Sequence, residues 1–346
     1  MTSQRSIKSG SFGDDNQGVN PRLSIIMAAY DAAPYVSAAV ESVLTQTYHD
    51  FELVVVDDAS TDGTWDQLAA LQARDDRIRL FRNDENRGIA LTLNRGIDLS
   101  RGELLGRMDA DDVADDDRFA RQVAFLDENP DVSVVGSFAF HINTAGDVVG
   151  LSETGPTSRA EFESLRGAGE HVLVFGGSAV FSRTMFDKTD GYSEEFVSAE
   201  ELDLFDQMAE YGPILAIPEP LLRYRMHVGS TVMRTFYEGR RVHRFIKARS
   251  VARLHGEPAQ TFEKFSAAEE ALPWFRRTTL TMGDRSRYLY RRAGIAFGEG
   301  APFEGARLLA GATVMDPAYV GKRLWAQRLS PRARASRLAA SSGSEG

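Results

Sequence analysis

Five short apolar runs, Leu23–Ala29, Glu52–Val56, Ile78–Phe81, Leu104–Arg107 and Val132–Val135, alternate with longer amphipathic stretches, and this spacing constrains the fold more than any other feature of the chain. Each run is β-branched and aliphatic, as a strand buried on both faces must be. The stretches between them carry helical periodicity: Val36, Ala39, Val40, Val43 and Leu44 share one face after Pro34, and Ile89, Leu91, Leu93 and Ile97 recur in the next but one. Ser60-Thr61-Asp62-Gly63 and Asp115–Asp117 supply acidic or hydroxyl starts to the helices that follow them. Strand–helix alternation predicts an α/β fold with a mainly parallel, doubly wound sheet flanked by helices, whose ligands lie beyond the carboxyl ends of the strands.

That edge is where the sequence concentrates its acids. Ala29-Tyr30-Asp31 follows the first run and Asp57-Asp58 the second, while the fourth leads into RMDADDVADDD, which puts six aspartates into the eleven residues from Arg107 to Asp117. Clustered carboxylates repel one another unless a cation joins them or some hold protons. Asp109 and Asp111, one residue apart at a strand end, suit a hard ion such as Mg²⁺ or Mn²⁺ that also grips a diphosphate; an acidic turn is the competing explanation. Asp115–Asp117 read as a helix start. Asp57 and Asp58 suit a base N–H or a ribose hydroxyl, and Tyr30 offers a ring to a nucleobase, although Asx-turn chemistry accounts for either acid alone. Gly176 and Gly177 allow backbone to approach a donor or acceptor sugar, or another strand.

Beyond about Met233 strand signals end, and helical periodicity continues over 236–255, 262–272, 276–297 and 302–315. Four regions are therefore expected: a disordered leader (1–20), an α/β domain (21–233), a helical region (234–330) and a disordered tail (331–346). Charge divides with them. Residues 1–233 hold 40 acidic and 19 basic side chains, whereas 234–337 hold 9 and 21, within a total of −10. The basic excess faces anionic lipid, the acidic first region or solvent. The run from Gly321 to Arg337 mixes six basic residues with Leu324, Trp325 and Leu329, which suggests a peripheral membrane contact; a helical cap or a homo-oligomer surface competes with it. Nucleic acid is not an expected partner, since no reader motif occurs. Cysteine is absent, which excludes thiolate chemistry and fits a cytoplasmic location, at most peripheral on the inner face of the plasma membrane.

Taken together, Ser24-Ile-Ile-Met-Ala-Ala-Tyr-Asp31, Val43-Leu-Thr-Gln-Thr-Tyr48, Val55-Val-Asp-Asp-Ala-Ser-Thr-Asp-Gly63, Asn86-Arg-Gly88, Asn94-Arg-Gly96 and Met108-Asp-Ala-Asp-Asp112 resemble the family 2 glycosyltransferases over residues 22–230. The resemblance implies a GT-A fold, a nucleotide-diphosphate sugar donor with UDP as the expected nucleotide, a divalent ion, and inversion during transfer to a glycan or lipid-linked acceptor in cell-surface polysaccharide or glycoconjugate synthesis. It assigns Ala29, Tyr30, Asp57 and Asp58 to the nucleoside pocket, Asp109 to the ribose and diphosphate, and Asp111 to the metal, with His227 near metal or diphosphate. Arg87 stands where the family often places a basic residue close to the nucleotide. Glu201 takes the position of the family's catalytic aspartate, one methylene longer, with Glu200 and Asp203 as fallback bases. Two other readings are a catalytically silent subunit of the same fold, favoured by the Glu-for-Asp change, and a sugar-nucleotide pyrophosphorylase, disfavoured because Met27–Asp31 lacks a Gly-rich basic loop.

Overall fold

Residues 20–325 are described by a computed structural model. The chain enters as β1 (Leu23–Ala29), α1 (Val36–Leu44), β2 (Phe51–Asp57), α2 (Thr64–Gln72), β3 (Ile78–Arg82), α3 (Ile89–Leu99) and β4 (Leu104–Arg107). These four strands pair in the order β3-β2-β1-β4, all parallel, as right-handed strand–helix–strand crossovers require. Every residue of β2 is buried, which explains the unbroken apolar reading of Leu53–Val56.

The second half is mixed. It comprises β5 (Val113–Ala114), α4 (Arg118–Glu128), β6 (Val134–Ile142), β7 (Val148–Ser152), α5 (Arg159–Gly167), a 3₁₀ turn (Gly176–Ser178), β8 (Val180–Ser182), α6 (Arg183–Phe186), α7 (Glu200–Met208) and β9 (Ile214–Arg225). β8 runs antiparallel to β4 and β6, β9 is parallel to β6, and β5 and β7 pair antiparallel with β9 and β6. Parallel pairing therefore holds for the first four strands and gives way to alternating directions beyond them.

Two strands are longer than periodicity suggests, and the first of them, β6, extends the run expected to end at Val135 as far as Ile142. The second, β9, begins at Ile214 and carries Pro218 and Pro220 inside it. Proline cannot donate to a ladder, so a run containing it reads as broken. Here the register against β6 slips twice, at Ser137/Phe138 and Phe138/Ala139, and the irregularity absorbs the prolines.

The helical region follows as α8 (Thr231–Arg234), α9 (Phe236–Leu254), α10 (Phe262–Glu270), α11 (Trp274–Gly298), α12 (Pro302–Met315) and α13 (Pro317–Leu324). A small buried cluster of Phe196, Leu202, Val242, Phe245 and Ile246 seats α9 against α7. Beside it Asp206, buried on α7, accepts from Arg249 Nε (2.8 Å), Ser250 Oγ (3.0 Å) and Arg253 Nη1 (3.1 Å). Part of the basic excess of the helical region is thus matched to acids of the first region. α11 and α12 form a hairpin in which Gly305 lies so near Phe297 that a Cβ there would stand 2.7 Å from its ring. Among the described residues no helix is long and apolar enough to cross a membrane. The leader and tail expected at 1–20 and 331–346 lie outside the described residues apart from Asn20, as does the basic run beyond Trp325.

Three non-glycine residues adopt left-handed backbone: Asp31 (φ 45°), Ala59 (φ 61°) and Ala199 (φ 60°). They follow β1, follow β2 and precede α7, so local strain gathers where the ligand edge is built. Asp31 has compensation, since its Oδ1 accepts from the Thr61 amide at 2.8 Å and its own amide donates to Ser60 Oγ at 3.0 Å. Ala59 has no such side chain. Ala59→Gly is expected to stabilise the fold by roughly 0.5–1 kcal/mol, the relief of left-handed strain less the extra chain entropy of glycine. Urea unfolding measures this, and a destabilised variant would show that the alanine methyl matters to packing.

Candidate active site

The acids of the carboxyl edge divide into those the fold consumes and those it leaves facing the cleft. Asp57, closing β2, is fully buried; its Oδ2 pairs with Arg82 Nε at 3.0 Å and accepts from the Ser60 amide at 3.3 Å, while Oδ1 is buried without a hydrogen-bond partner. Asp58 accepts at both oxygens, from Asn83 Nδ2 (2.6 Å) and the amides of Arg87 and Gly88 (2.9 Å each). Its carboxylate therefore holds the loop between β3 and α3, and Arg87 meets it through its backbone amide. Ala29 is buried at the end of β1 and its carbonyl accepts the Asp58 amide at 2.8 Å; Tyr30, the next residue, is 38% exposed.

β4 brings a second group together. Asp111 Oδ2 stands 3.0 Å from His227 Nε2, although 116 residues separate them. Tyr35 packs its ring 5.2 Å from that imidazole, and the Arg225 guanidinium carbon lies 4.7 Å from the Tyr35 ring centroid. Arg225 also fixes the acidic loop: its amide donates to Asp112 Oδ1 (2.8 Å) and its Nε to the Asp111 carbonyl (2.8 Å). Asp112 is buried, and its other oxygen has no partner. Burial first, and then Asp111 and Asp109, hold its carboxyl well above the usual carboxylate range. Asp117 occupies the N-cap of α4 without a side-chain cap bond and pairs instead with Arg121 at 3.6 Å, so the acidic start of that helix works through charge alone.

The third group lies on α7. Glu200 is buried and accepts from Arg107 Nη1 at 2.9 Å. Asp203 is buried against the helical region, paired with Arg249 Nη1 (2.7 Å) and accepting from Gln207 Nε2 (2.8 Å). Glu201, partly exposed, has neither an ion-pair nor a side-chain hydrogen-bond partner among the described residues. Burial, reinforced by the Glu200 charge, pushes its carboxyl up to about 7, with Arg107 opposing the rise. Of the three acids proposed at this helix start, two are committed to arginines and Glu201 is not.

The 3₁₀ turn joins these groups. A Cβ on Gly177 would stand 2.9 Å from Asp109 Oδ2 and 3.1 Å from Asp112 Oδ2; one on Gly176 would stand 3.2 Å from Arg107 Nη1 and 3.4 Å from Glu201 Cγ. The two glycines thus press backbone directly against the acidic loop and the start of α7, where any side chain would displace those carboxylates.

Sequence reasoning passed over Arg107 and Arg225. Both are charged residues closing strands whose other positions are largely apolar, and that mismatch was the available signal. As to a metal, no three histidine or acidic side chains converge as a ready cage among the described residues. Asp111 and His227 form a pair, and a carboxylate with an imidazole fits an ion that completes its shell with water and a ligand's phosphate oxygens.

Residues 24–189 match the family model described as glycosyl transferase family 2. Over this segment the chain is similar to the family 2 glycosyltransferases. Chondroitin synthase of Escherichia coli is 26% identical over 235 residues, covering 68% of this chain but only 33% of its own length. Among solved structures, residues 1–349 of S. aureus TarS in complex with UDP-GlcNAc superpose with a TM-score of 0.55 at 17% identity, covering 86% of this chain and 91% of that one. The mannosyltransferase PcManGT from Pyrobaculum calidifontis, in complex with GDP-Man and Mn²⁺, gives 0.52 at 19% identity, covering 87% and 88%. The fold is GT-A, and the matched segment spans β1 to α6.

Proposed function

We propose that this chain transfers a sugar from a nucleoside-diphosphate donor, a UDP-sugar, to a hydroxyl of a glycan or lipid-linked acceptor, with inversion. The observation that carries the reading is the juxtaposition of two unlike carboxylate environments across one glycine turn: Asp109 and Asp112 against Gly177, Glu201 against Gly176. The first is an acid-rich loop suited to a cation and a diphosphate. The second holds a carboxyl poised near neutrality, where a general base is most effective.

Tyr30, Ala29 and Asp57 form the nucleoside wall, with the unpartnered Asp57 oxygen an acceptor for a base or ribose donor. Asp58 and Arg87 shape that wall through the loop they share. Asp109 faces the ribose and diphosphate, and Asp111 with His227 would hold Mn²⁺ or Mg²⁺. Such an ion, when bound, neutralises charge on the departing diphosphate. Glu201 accepts the proton of the acceptor hydroxyl as its oxygen bonds to the anomeric carbon, and the bond from that carbon to the diphosphate oxygen breaks on the opposite face. The relatives' donors, UDP-GlcNAc for TarS and GDP-Man for PcManGT, support a nucleotide sugar here. The synthase relative supports a glycan acceptor. A cavity of about 500 Å³, lined by Phe196, Tyr237, Arg241, Arg244 and Phe262, lies beside the apolar cluster that seats α9 against α7.

A thermal-shift screen of UDP, GDP and their sugars with and without Mn²⁺ tests the reading. One nucleotide should raise the melting temperature by several degrees in an Mn²⁺-dependent manner, since ligand at 100 times its Kd adds about 2.7 kcal/mol. Release of nucleoside diphosphate from the matching sugar then separates a transferase from a silent subunit, which would bind without turnover. Consumption of a sugar phosphate and a nucleoside triphosphate would indicate a pyrophosphorylase instead.

A further inference from the structure

Arg107 is 6% exposed, yet its guanidinium serves two carboxylates from distant parts of the chain. Nε donates to Asp109 Oδ1 at 2.8 Å and Nη1 to Glu200 Oε1 at 2.9 Å, while Nη2 lies 3.5 Å from Asp109 Oδ2. The surroundings leave it no freedom. The Tyr192 ring lies 5.9 Å from the guanidinium carbon, Gly176 closes over Nη1, and the Arg107 carbonyl accepts from the buried Arg118 Nη2 at 2.8 Å. Tyr192 is itself tied to α3, its amide donating to Asn94 Oδ1 (3.1 Å) and its carbonyl accepting from Asn94 Nδ2 (2.8 Å). Stability alone is a poor reason for such a triad, because apolar residues of the same volume commonly replace buried ion clusters without loss. A rigid planar fork spanning two acids does one thing a point charge cannot: it sets the distance between them.

We propose that Arg107 is a positioning residue that locks the first turn of α7 to the nucleotide-side carboxylate Asp109, and so fixes the reach of Glu201 toward the acceptor hydroxyl. The inference rests on the reading of Glu201 as the base. Glu200 is pinned on one side of Glu201 and the strained Ala199 precedes both, whereas the hold on the other side, Asp203 on Arg249, faces the helical region and not Asp109. The same fork orients Asp109, so the nucleotide side and the base side of the cleft are held by one group.

The test uses the full chain as wild type, R107K, E200Q and the double variant, with kcat for donor turnover and the Kd of UDP in Mn²⁺, or of GDP if the wild type prefers it. Lysine keeps a partner in Asp109, two residues away, and gives up Glu200. R107K and E200Q are each expected to lower kcat by about 10–100-fold, because loss of orientation is costly, with Kd moving less than about threefold. The double variant should fall no further than the worse single, since both remove one linkage. Wild-type kcat in either single variant, losses that multiply in the double, or a Kd that rises in step with the loss of kcat would overturn the proposal. E200Q keeps volume but removes the charge that holds the fork, so it carries the kinetic test should R107K fold poorly. Amide hydrogen exchange over residues 199–205 needs no turnover. R107K should speed it at least about tenfold, and unchanged exchange would refute the linkage even if the wild type proved to transfer no sugar.

Discussion

Glu201→Gln is expected to lower sugar transfer by at least about a thousandfold while making the protein more stable above neutral pH. The two halves of that result share one cause. Burial and Glu200 push the Glu201 carboxyl up to about 7, so ionising it costs the folded state more than the unfolded chain. A raised carboxyl leaves stability intact below the unfolded value and erodes it as pH climbs through the folded one. The neutral amide escapes that cost. At pH 8 the variant should gain on the order of 1–3 kcal/mol, seen as a melting temperature a few degrees higher, and near pH 4 the difference should vanish. Wild-type kcat/KM should fall on the acid side with a midpoint near 7, and that limb should be missing from whatever activity the variant retains. Nucleotide binding should survive. A variant that transfers sugar at the wild-type rate would remove Glu201 from the mechanism and return the choice to Glu200 or Asp203, both of which are held by arginines.

Asp111→Asn should fail differently. The substitution keeps the shape of the side chain beside His227 but removes the charge that a hard cation needs. The expected outcome is a loss of at least about a hundredfold in kcat/KM, together with loss of the Mn²⁺-dependent part of the nucleotide thermal shift. The unliganded protein should melt no lower than wild type, because Asp111 crowds the buried Asp112 and one fewer negative charge eases that repulsion. Binding separates the two variants: Glu201→Gln retains the metal-dependent shift, whereas Asp111→Asn abolishes it. If Asp111→Asn kept the Mn²⁺-dependent shift, the ion would have to be sought elsewhere on the acidic loop.

Much of the first half of the sheet was legible because its information is local. The apolar runs 23–29, 52–56, 78–81 and 104–107 became β1 to β4 within a residue or so, and the rule that ligands lie beyond their carboxyl ends brought Asp57, Asp109 and Asp111 to one edge. The second half was less legible. β7 and β8 are short strands, and β9 passes through two prolines that are tolerated only because the register against β6 slips beside them. Nothing in the local sequence announces that slip.

The amino-acid order by itself determined the α/β alternation, the helical character beyond Met233, and the placing of acids where parallel strands end, because hydrophobic period and strand direction are properties of short segments. Only the tertiary structure decided how those acids are divided: Asp58 to a loop, Asp203 to α9, Glu200 to Arg107, and Glu201 to none of them. The Arg107–Glu200 bond joins residues 93 positions apart and the Asp111–His227 contact spans 116, so neither has a signature in a local window. Whether a carboxylate is paired, protonated or poised depends on what the fold packs against it. That is settled by burial and by distant partners.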